Sequence, residues 1–390
     1  MKLFLTICLC AAAGFAVDFK TFETMALQNA PAMQAARLEN NAAKLQGRIA
    51  LRYANPSIEG EVSGFDADAG GSDTGWRTAI SQPVRVFGLG HDLQRYADRL
   101  NILAEKGYEK GRAGFMVQLR HRYVDYVKAV HAKALLEQKI ALAKRLETIA
   151  QERFENGAGT RAKVMQASLQ RIAAETKLIE GQREIVARYY DLLADAGMTE
   201  QVTLDAAFLY PVEVDNHADT ALKNPELQAM QALSNLYEAE AKTHDRSIKA
   251  YQLFAEYEEE PDQSIARFGV GIDLPLFNRN KEEYQLARIR VQQASLRVAQ
   301  LKSEQKAQLE SLQLQLATLG KHYAALKQRL EKEQELLSLF EEGYRAAQSS
   351  LLDLIQTKNA LIDTKRQLLE TEYLANLYHI QIDYLKGKLK

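Results

Sequence analysis

The residue types that most often carry chemistry are few here and poorly spaced for it. The seven histidines, His91, His121, His131, His217, His244, His322 and His379, form no HxxxH or HExxH pair, the spacing that places two imidazoles on one helical face around zinc. Each reads as a surface or bundle residue. The two cysteines, Cys8 and Cys10, both lie among the first sixteen residues. No GxxxxGK[ST] run is present to cradle nucleotide phosphates. Gly157-Ala158-Gly159 follows no strand, and reads as a turn that reverses one helix into the next. The acidic run Glu256 to Glu260, interrupted by Tyr257, has the oxygen donors a cation takes, but reads by default as a solvated loop. The sequence therefore predicts no enzyme, no cofactor and no metal centre. With 50 basic against 51 acidic residues, no net field points to nucleic acid.

The elements that carry these residues are easier to read. The chain has 390 residues, 46% of them apolar and 26% charged, a composition that excludes general disorder. Its seven prolines are Pro31, Pro56, Pro83, Pro211, Pro225, Pro261 and Pro275. None falls between Pro83 and Pro211, and none follows Pro275. Proline breaks helix interiors, so these two stretches suit long uninterrupted helices. In 354–382 the residues Leu354, Leu361, Leu368, Ala375 and Ile382 recur every seventh position, with Ile355, Ile362 and Leu369 beside them. In 136–154 Leu136, Ile140, Ala143, Leu146, Ala150 and Phe154 recur at three- and four-residue steps. Both are coiled-coil or long-bundle patterns. Gly107, Gly111 and Gly114 mark points of curvature or small-residue contact.

Residues 1–16 combine one lysine, a short apolar run and small residues ending at Ala16, the pattern of a cleaved leader. The apolar run is short of the ~20 residues of a spanning helix. Ile7 and Leu9 precede the cysteines, so neither has the small neighbour that lipidation needs.

The remainder follows one plan twice. Leu27-Gln28-Asn29-Ala30-Pro31 matches Leu222-Lys223-Asn224-Pro225, and Gln82-Pro83 matches Leu274-Pro275. The first repeat is 17–210, with strands over 57–65 and 75–82 and a long helical hairpin over 88–197. The second is 211–390, with strands over 250–258 and 267–274 and a hairpin over 278–388. Each strand is about nine residues, near the ~9–11 of a membrane-spanning strand, and each alternates. Trp76, Ile80, Tyr251, Tyr257, Phe268, Val270 and Ile272 form the candidate lipid-facing set. Glu59, Glu61, Arg77 and Asp273 form the candidate lumen-facing set, and Phe254 breaks the alternation. A half-buried sheet in a soluble protein would alternate in the same way. Four strands cannot close a barrel, and an open edge cannot sit in lipid. A membrane reading therefore requires a barrel shared among chains. The loops Asp66–Thr74 and Glu259–Ile265 would form its outer tips.

The duplicated helix start Asn224-Pro225-Glu226-Leu227, the turn Leu274-Pro275-Leu276-Phe277-Asn278 and the tip motifs Arg153-Phe154-Glu155-Asn156-Gly157 and Gly343-Tyr344-Arg345, with Leu351-Leu352-Asp353-Leu354, resemble the TolC family of bacterial outer-membrane efflux proteins. The resemblance runs over about 20–386. Ala30 departs from it, standing where the family has asparagine. The fold implied is mainly α with a small β part: a homotrimer whose four strands per chain build a twelve-stranded barrel in outer-membrane lipid, with coiled-coil hairpins forming a periplasmic tunnel. The implied partners are a periplasmic adaptor and an inner-membrane pump, of RND type or another. The implied role is passive conduction, and the location is the outer membrane with a periplasmic extension. Matching positions for a periplasmic gate are Lys163 in the first copy and Asp353 in the second, whose opposite charges would pair across the two hairpins, with Arg161 and Tyr344 nearby. Competing readings are a periplasmic coiled-coil adaptor or spacer and a secreted helical binding protein. The leader reading predicts that the exported protein starts at Val17 when its N-terminus is sequenced; retention of Met1 in that protein would contradict it.

Overall fold

The computed structural model describes residues 16–67, 71–212, 222–346 and 348–389. The expected leader, with Cys8 and Cys10, lies outside the described residues except for Ala16. The elements in chain order are α1 (Phe19–Asn29), α2 (Pro31–Ala50), β1 (Ser57–Ala67), β2 (Gly71–Arg85), α3 (Leu89–Glu155), α4 (Arg161–Ala196), α5 (Pro225–His244), β3 (Ala250–Glu260), β4 (Gln263–Ile272), α6 (Lys281–Arg345) and α7 (Leu351–Leu385). The mainly helical reading with four strands holds.

The proline-free stretches form helices of 67 and 65 residues, α3 and α6, each followed by a shorter partner. A 67-residue helix is ~100 Å long at ~1.5 Å per residue. Gly107, Gly111 and Gly114 sit inside α3, where an added Cβ would meet nothing within 4 Å. Of the curvature or small-residue contact expected there, the contact is not made among the described residues. Pro31 and Pro225 open α2 and α5, where the missing N–H has no partner to lose. Ala30 ends α1, donating its N–H to the Ala26 carbonyl at 2.9 Å. Ala30 also precedes Pro31 at the start of α2, where its carbonyl accepts from Met33 N at 3.0 Å and Gln34 N at 3.2 Å but it has no side chain to cap that helix.

Two compact units share the chain, and each draws segments from both halves of the sequence. The unit built from 36–110 and 225–304 contains the sheet. Its strands run in the order β1-β2-β3-β4, every neighbouring pair antiparallel. The strand starts expected at Ser57 and Ala250 are the observed ones; other limits moved. β3 and β4 pair through Glu260 and Gln263, leaving Pro261-Asp262 as the turn instead of a loop over 259–265. Glu259 and Glu260, expected in that loop, are strand residues. β4 ends at Ile272, short of Leu274. β2 runs past Pro83 to Arg85, whereas its last pair with β1 is Ser81 with Ser57. Pro83 therefore lies where β2 has one neighbour, the setting that tolerates a missing donor.

The other unit, 1–35, 111–224 and 305–390, holds helix cores. One packs Phe22 of α1, Leu119, Tyr123 and Val127 of α3, Leu192 of α4 and Ile380 of α7. The segment after α4 is stitched over it. Tyr123 Oη lies 3.0 Å from the Ala207 carbonyl, and Tyr210 exchanges two bonds with the Asn376 amide, at 2.9 and 3.0 Å. Arg120 grips Glu23 at 2.7 and 3.2 Å and donates to Tyr210 Oη at 2.9 Å. The expected heptad is buried, with Leu354, Leu361, Leu368, Ala375 and Ile382 all in the interior. Phe154, expected on the same kind of seam in α3, is exposed.

One member of α7 breaks the pattern. Lys358 is buried, 1% exposed, and its Nζ has no hydrogen-bond partner. Burial, with Lys139 adding like charge, pushes its pKa down to about 8 from an ordinary 10.5. Between those values the unfolded chain holds the extra proton, so stability rises with pH across that window, and below pH 8 the whole penalty applies. Lys358→Met should raise the melting temperature at pH 7, and the gain should shrink as pH rises from 8 towards 10.5. Melting curves that show the same gain at both ends would contradict this.

Candidate membrane face and helical tip

Register decides which side chains share a face of the sheet, because residues directly opposite each other project to the same side. Glu61, Arg77 and Glu258 are opposite in turn, as are Glu59, Ala79, Glu256 and Arg267. These rows make one polar face. Arg77 bridges Glu61 at 2.8 Å and Glu256 at 3.0 Å, and Arg267 pairs with Glu256 and Glu258. A ladder of alternating charge therefore ties all four strands, with every pair a charge-assisted hydrogen bond. Glu59, Glu61 and Arg77 lie on this face as read from sequence. Asp273 does not join the ladder, since β4 stops one residue earlier. Arg267 and its partners Glu256 and Glu258 complete it.

Phe254 also lies on the polar face, which accounts for the break in alternation. It stands opposite Gly269, and a Cβ added at that glycine would fall 2.4 Å from its ring. Phe65 covers Gly75 in the same way, at 2.8 Å. Each ring fills the gap that a strand glycine leaves.

The opposite face carries Trp76, Ile80, Tyr251, Tyr257, Phe268, Val270 and Ile272, the full set read from sequence, together with Ile58, Val62 and Leu253. Phe268 is 84% and Val62 79% exposed, so nothing among the described residues covers them. The Trp76 and Tyr257 rings pack at 5.5 Å. A contiguous apolar surface of this kind marks a contact with lipid or protein. Among the described residues no helix is long and apolar enough to cross a membrane.

In the helical unit, the turns at the ends of α3 and α6 meet through a residue that the sequence reading quoted within a motif without assigning it a role. Arg153 lies over the Tyr344 ring, 4.3 Å from its centre, and donates to the Tyr344 carbonyl at 2.6 Å and the Ala158 carbonyl at 3.1 Å. Tyr344 is itself 1% exposed, packed with Leu146, Ile149, Leu351 and Leu354. Burial raises the pKa of its phenol. A second tie, Arg145 to Glu341 at 2.7 Å, joins the same two helices. Gly157 turns the chain at φ 72, a conformation that suits glycine.

The candidate gate residues are placed apart. Lys163 and Arg161 are exposed at the start of α4, and no ion pair joins Lys163 to Asp353 within the chain. Asp353 is engaged elsewhere: it accepts from Ser350 N at 3.1 Å and Ser350 Oγ at 2.6 Å, while Ser350 Oγ accepts from Asp353 N. This is a capping box at the start of α7. The Ser350 bonds hold the Asp353 carboxyl below its ordinary pKa. Ala347, in the second turn, lies outside the described residues. Of the histidines, His131 bonds the Ala206 carbonyl and His379 stacks on Tyr210. No group of three potential metal-binding side chains occurs among the described residues.

No family model matches the chain. A curated relative, the nickel-cobalt-cadmium resistance protein NccC of Alcaligenes xylosoxydans xylosoxydans, is 23% identical over 358 residues, which is 90% of this chain and 82% of that protein. Solved structures superpose over nearly the whole length. The transmembrane channel protein CusC gives a TM-score of 0.80 at 17% identity, covering 97% of this chain and 95% of that one. The outer-membrane protein VceC of Vibrio cholerae gives 0.78 at 14%, covering 94% and 95%. The MtrE outer-membrane channel of Neisseria gonorrhoeae, in its open state, gives 0.74 at 15%, covering 94% and 88%. The fold is therefore the one that the resemblance implied.

If Arg153 holds the two turns together, Arg153→Met leaves the Tyr344 carbonyl without its charged donor, a loss of about 1.5–3 kcal/mol. Amide hydrogen exchange over 154–160 and 343–350 should then speed up, and Arg153→Lys should restore only part of the protection. Unchanged exchange in Arg153→Met would remove Arg153 from this role.

Proposed function

We propose that this chain is one of three identical subunits of an outer-membrane channel of a tripartite efflux system. The observation that carries the reading is the sheet. Its four strands have one exposed apolar face, one face of paired charges and two unpartnered edges. In hydrocarbon an unpaired backbone group costs several kcal/mol, so such a sheet enters lipid only by closing with other copies. Three chains of four strands give twelve, an even number within the range of outer-membrane barrels. The apolar face then meets lipid and the polar face lines the lumen. The adaptor reading leaves that apolar face without a use.

The fold shared with CusC, VceC and MtrE supports this reading. The long helices would extend into the periplasm and meet a periplasmic adaptor and an inner-membrane pump, which supplies the energy. The chain itself conducts and catalyses nothing. We read 17–210 and 211–390 as two copies of one plan, each giving two strands and a helical hairpin. The turns tied by Arg153 would form the periplasmic gate. Lys163 and Arg161, free of Asp353 within one chain, are available to a neighbouring copy. The name of the relative NccC and the carboxylate-rich lumen face favour divalent metal cations as cargo.

Face assignment gives a direct test. Val270→Arg places a charge in lipid, at a cost of ~2–4 kcal/mol near the midplane. Ala79→Arg lies on the polar face between Glu59 and Glu256, where an arginine finds partners. Outer-membrane fractions should hold far less assembled Val270→Arg than wild type, and normal amounts of Ala79→Arg. The purified wild type should conduct in a planar bilayer. Equal assembly of both variants, or release of the wild type from membranes by salt without detergent, would overturn the reading.

A further inference from the structure

The two points where the sheet hands the chain on to long helices carry an unexplained expense. Phe87, between β2 and α3, is 98% exposed, and Phe277, between β4 and α6, is 103% exposed. Among the described residues nothing shelters either ring, although burying a side chain of this size is favourable. Leu274 and Leu276, beside the second, are 72% and 65% exposed.

These turns are built structures. Gly88 adopts φ 87, and a Cβ there would meet Arg246 Nη2 at 2.8 Å. Arg246 Nη1 donates to the Phe87 carbonyl at 2.9 Å, and Nη2 holds Asp92 at 3.0 Å. In the second turn Asn280 adopts φ 55, an uncommon conformation for a residue with a side chain. Its N–H donates to Asn278 Oδ1 at 2.9 Å, and its amide nitrogen donates to the Arg246 carbonyl at 3.0 Å. Both phenylalanine-bearing turns are thus anchored on Arg246, one by its guanidinium and one by its carbonyl. Two turns, one in each half of the chain, share one anchor and present bare rings outward.

We propose that Phe87 and Phe277, with Leu274 and Leu276, are membrane anchors. They enter the acyl chains at the boundary of the bilayer where the strands pass into the helices, and so fix the depth of the barrel. Continuity selects lipid over a protein partner. Leu274 keeps the alternation of Phe268, Val270 and Ile272 two residues past Ile272, so the apolar surface runs unbroken from the sheet into the turn. Aromatic residues flanking the apolar band are the usual device that holds a barrel at its depth. The proposal rests on the reading of the sheet as membrane-embedded, and its test separates the two.

The chain has one tryptophan, Trp76. In a Trp76→Phe background, Phe87→Trp, Phe277→Trp and Val270→Trp are made singly and reconstituted into phosphatidylcholine vesicles brominated either near the headgroup or near the chain ends. Tryptophan at 87 and 277 should lose about half or more of its emission to shallow bromines and less to deep ones. Quenching at 270 with none at 87 and 277 overturns the anchors and leaves the membrane reading standing. No quenching at any of the three, 270 included, overturns both.

Discussion

Backbone hydrogen bonding at the edges of a small sheet governs the rest of this molecule. Strands β1 and β4 each have one neighbour, so each presents a row of N–H and C=O groups with no strand among the described residues to receive them. In water such edges invite aggregation, and in lipid they are prohibitive. On the function proposed above, the apolar face would direct this sheet to lipid and the edges would forbid it to enter alone. Assembly is then a requirement of the strands, and the helices inherit the symmetry that the strands impose.

The remaining interactions serve to hold orientation. On the polar face, arginines placed between glutamates tie the strands sideways. In the helical unit, Arg120, Tyr210 and Asn376 bind the connecting segment to three helices. At the turns Arg153 gathers two carbonyls and an aromatic face. Planar guanidinium groups suit such sites, since one side chain satisfies several acceptors in fixed directions. Against this order stands Lys358, a cation inside a heptad with no acceptor for its protons.

Much of this was legible in the sequence, because the signals are local. Two-residue alternation located the strands and sorted their faces, and the absence of proline marked the long helices. Contacts between distant segments were not legible. Arg153 and Tyr344 are brought together by helices of more than sixty residues each, and no spacing announces that. Phe254 looked like an error in the pattern until register placed Gly269 opposite it. The alternation ends the strand at Glu258, and register carries it on through Glu259 and Glu260, where charge had masked the pattern. For Asp353 the signal was present: Ser350 three residues earlier is the sequence mark of a capping box. An inter-helical partner for Asp353 would have to displace that local one.

In the proposed trimer the free edge of β1 in one copy pairs with the free edge of β4 in the next. The only cysteines are Cys8 and Cys10, both within the expected leader, so an exported chain starting at Val17 offers a thiol-free background. Gly60→Cys on β1 can be combined in turn with Ala266→Cys, Phe268→Cys or Val270→Cys on β4, and membranes oxidised before non-reducing electrophoresis. At least one combination should give cross-linked dimers and trimers and nothing larger. Monomer alone in every combination, or a ladder continuing beyond three chains, would contradict it.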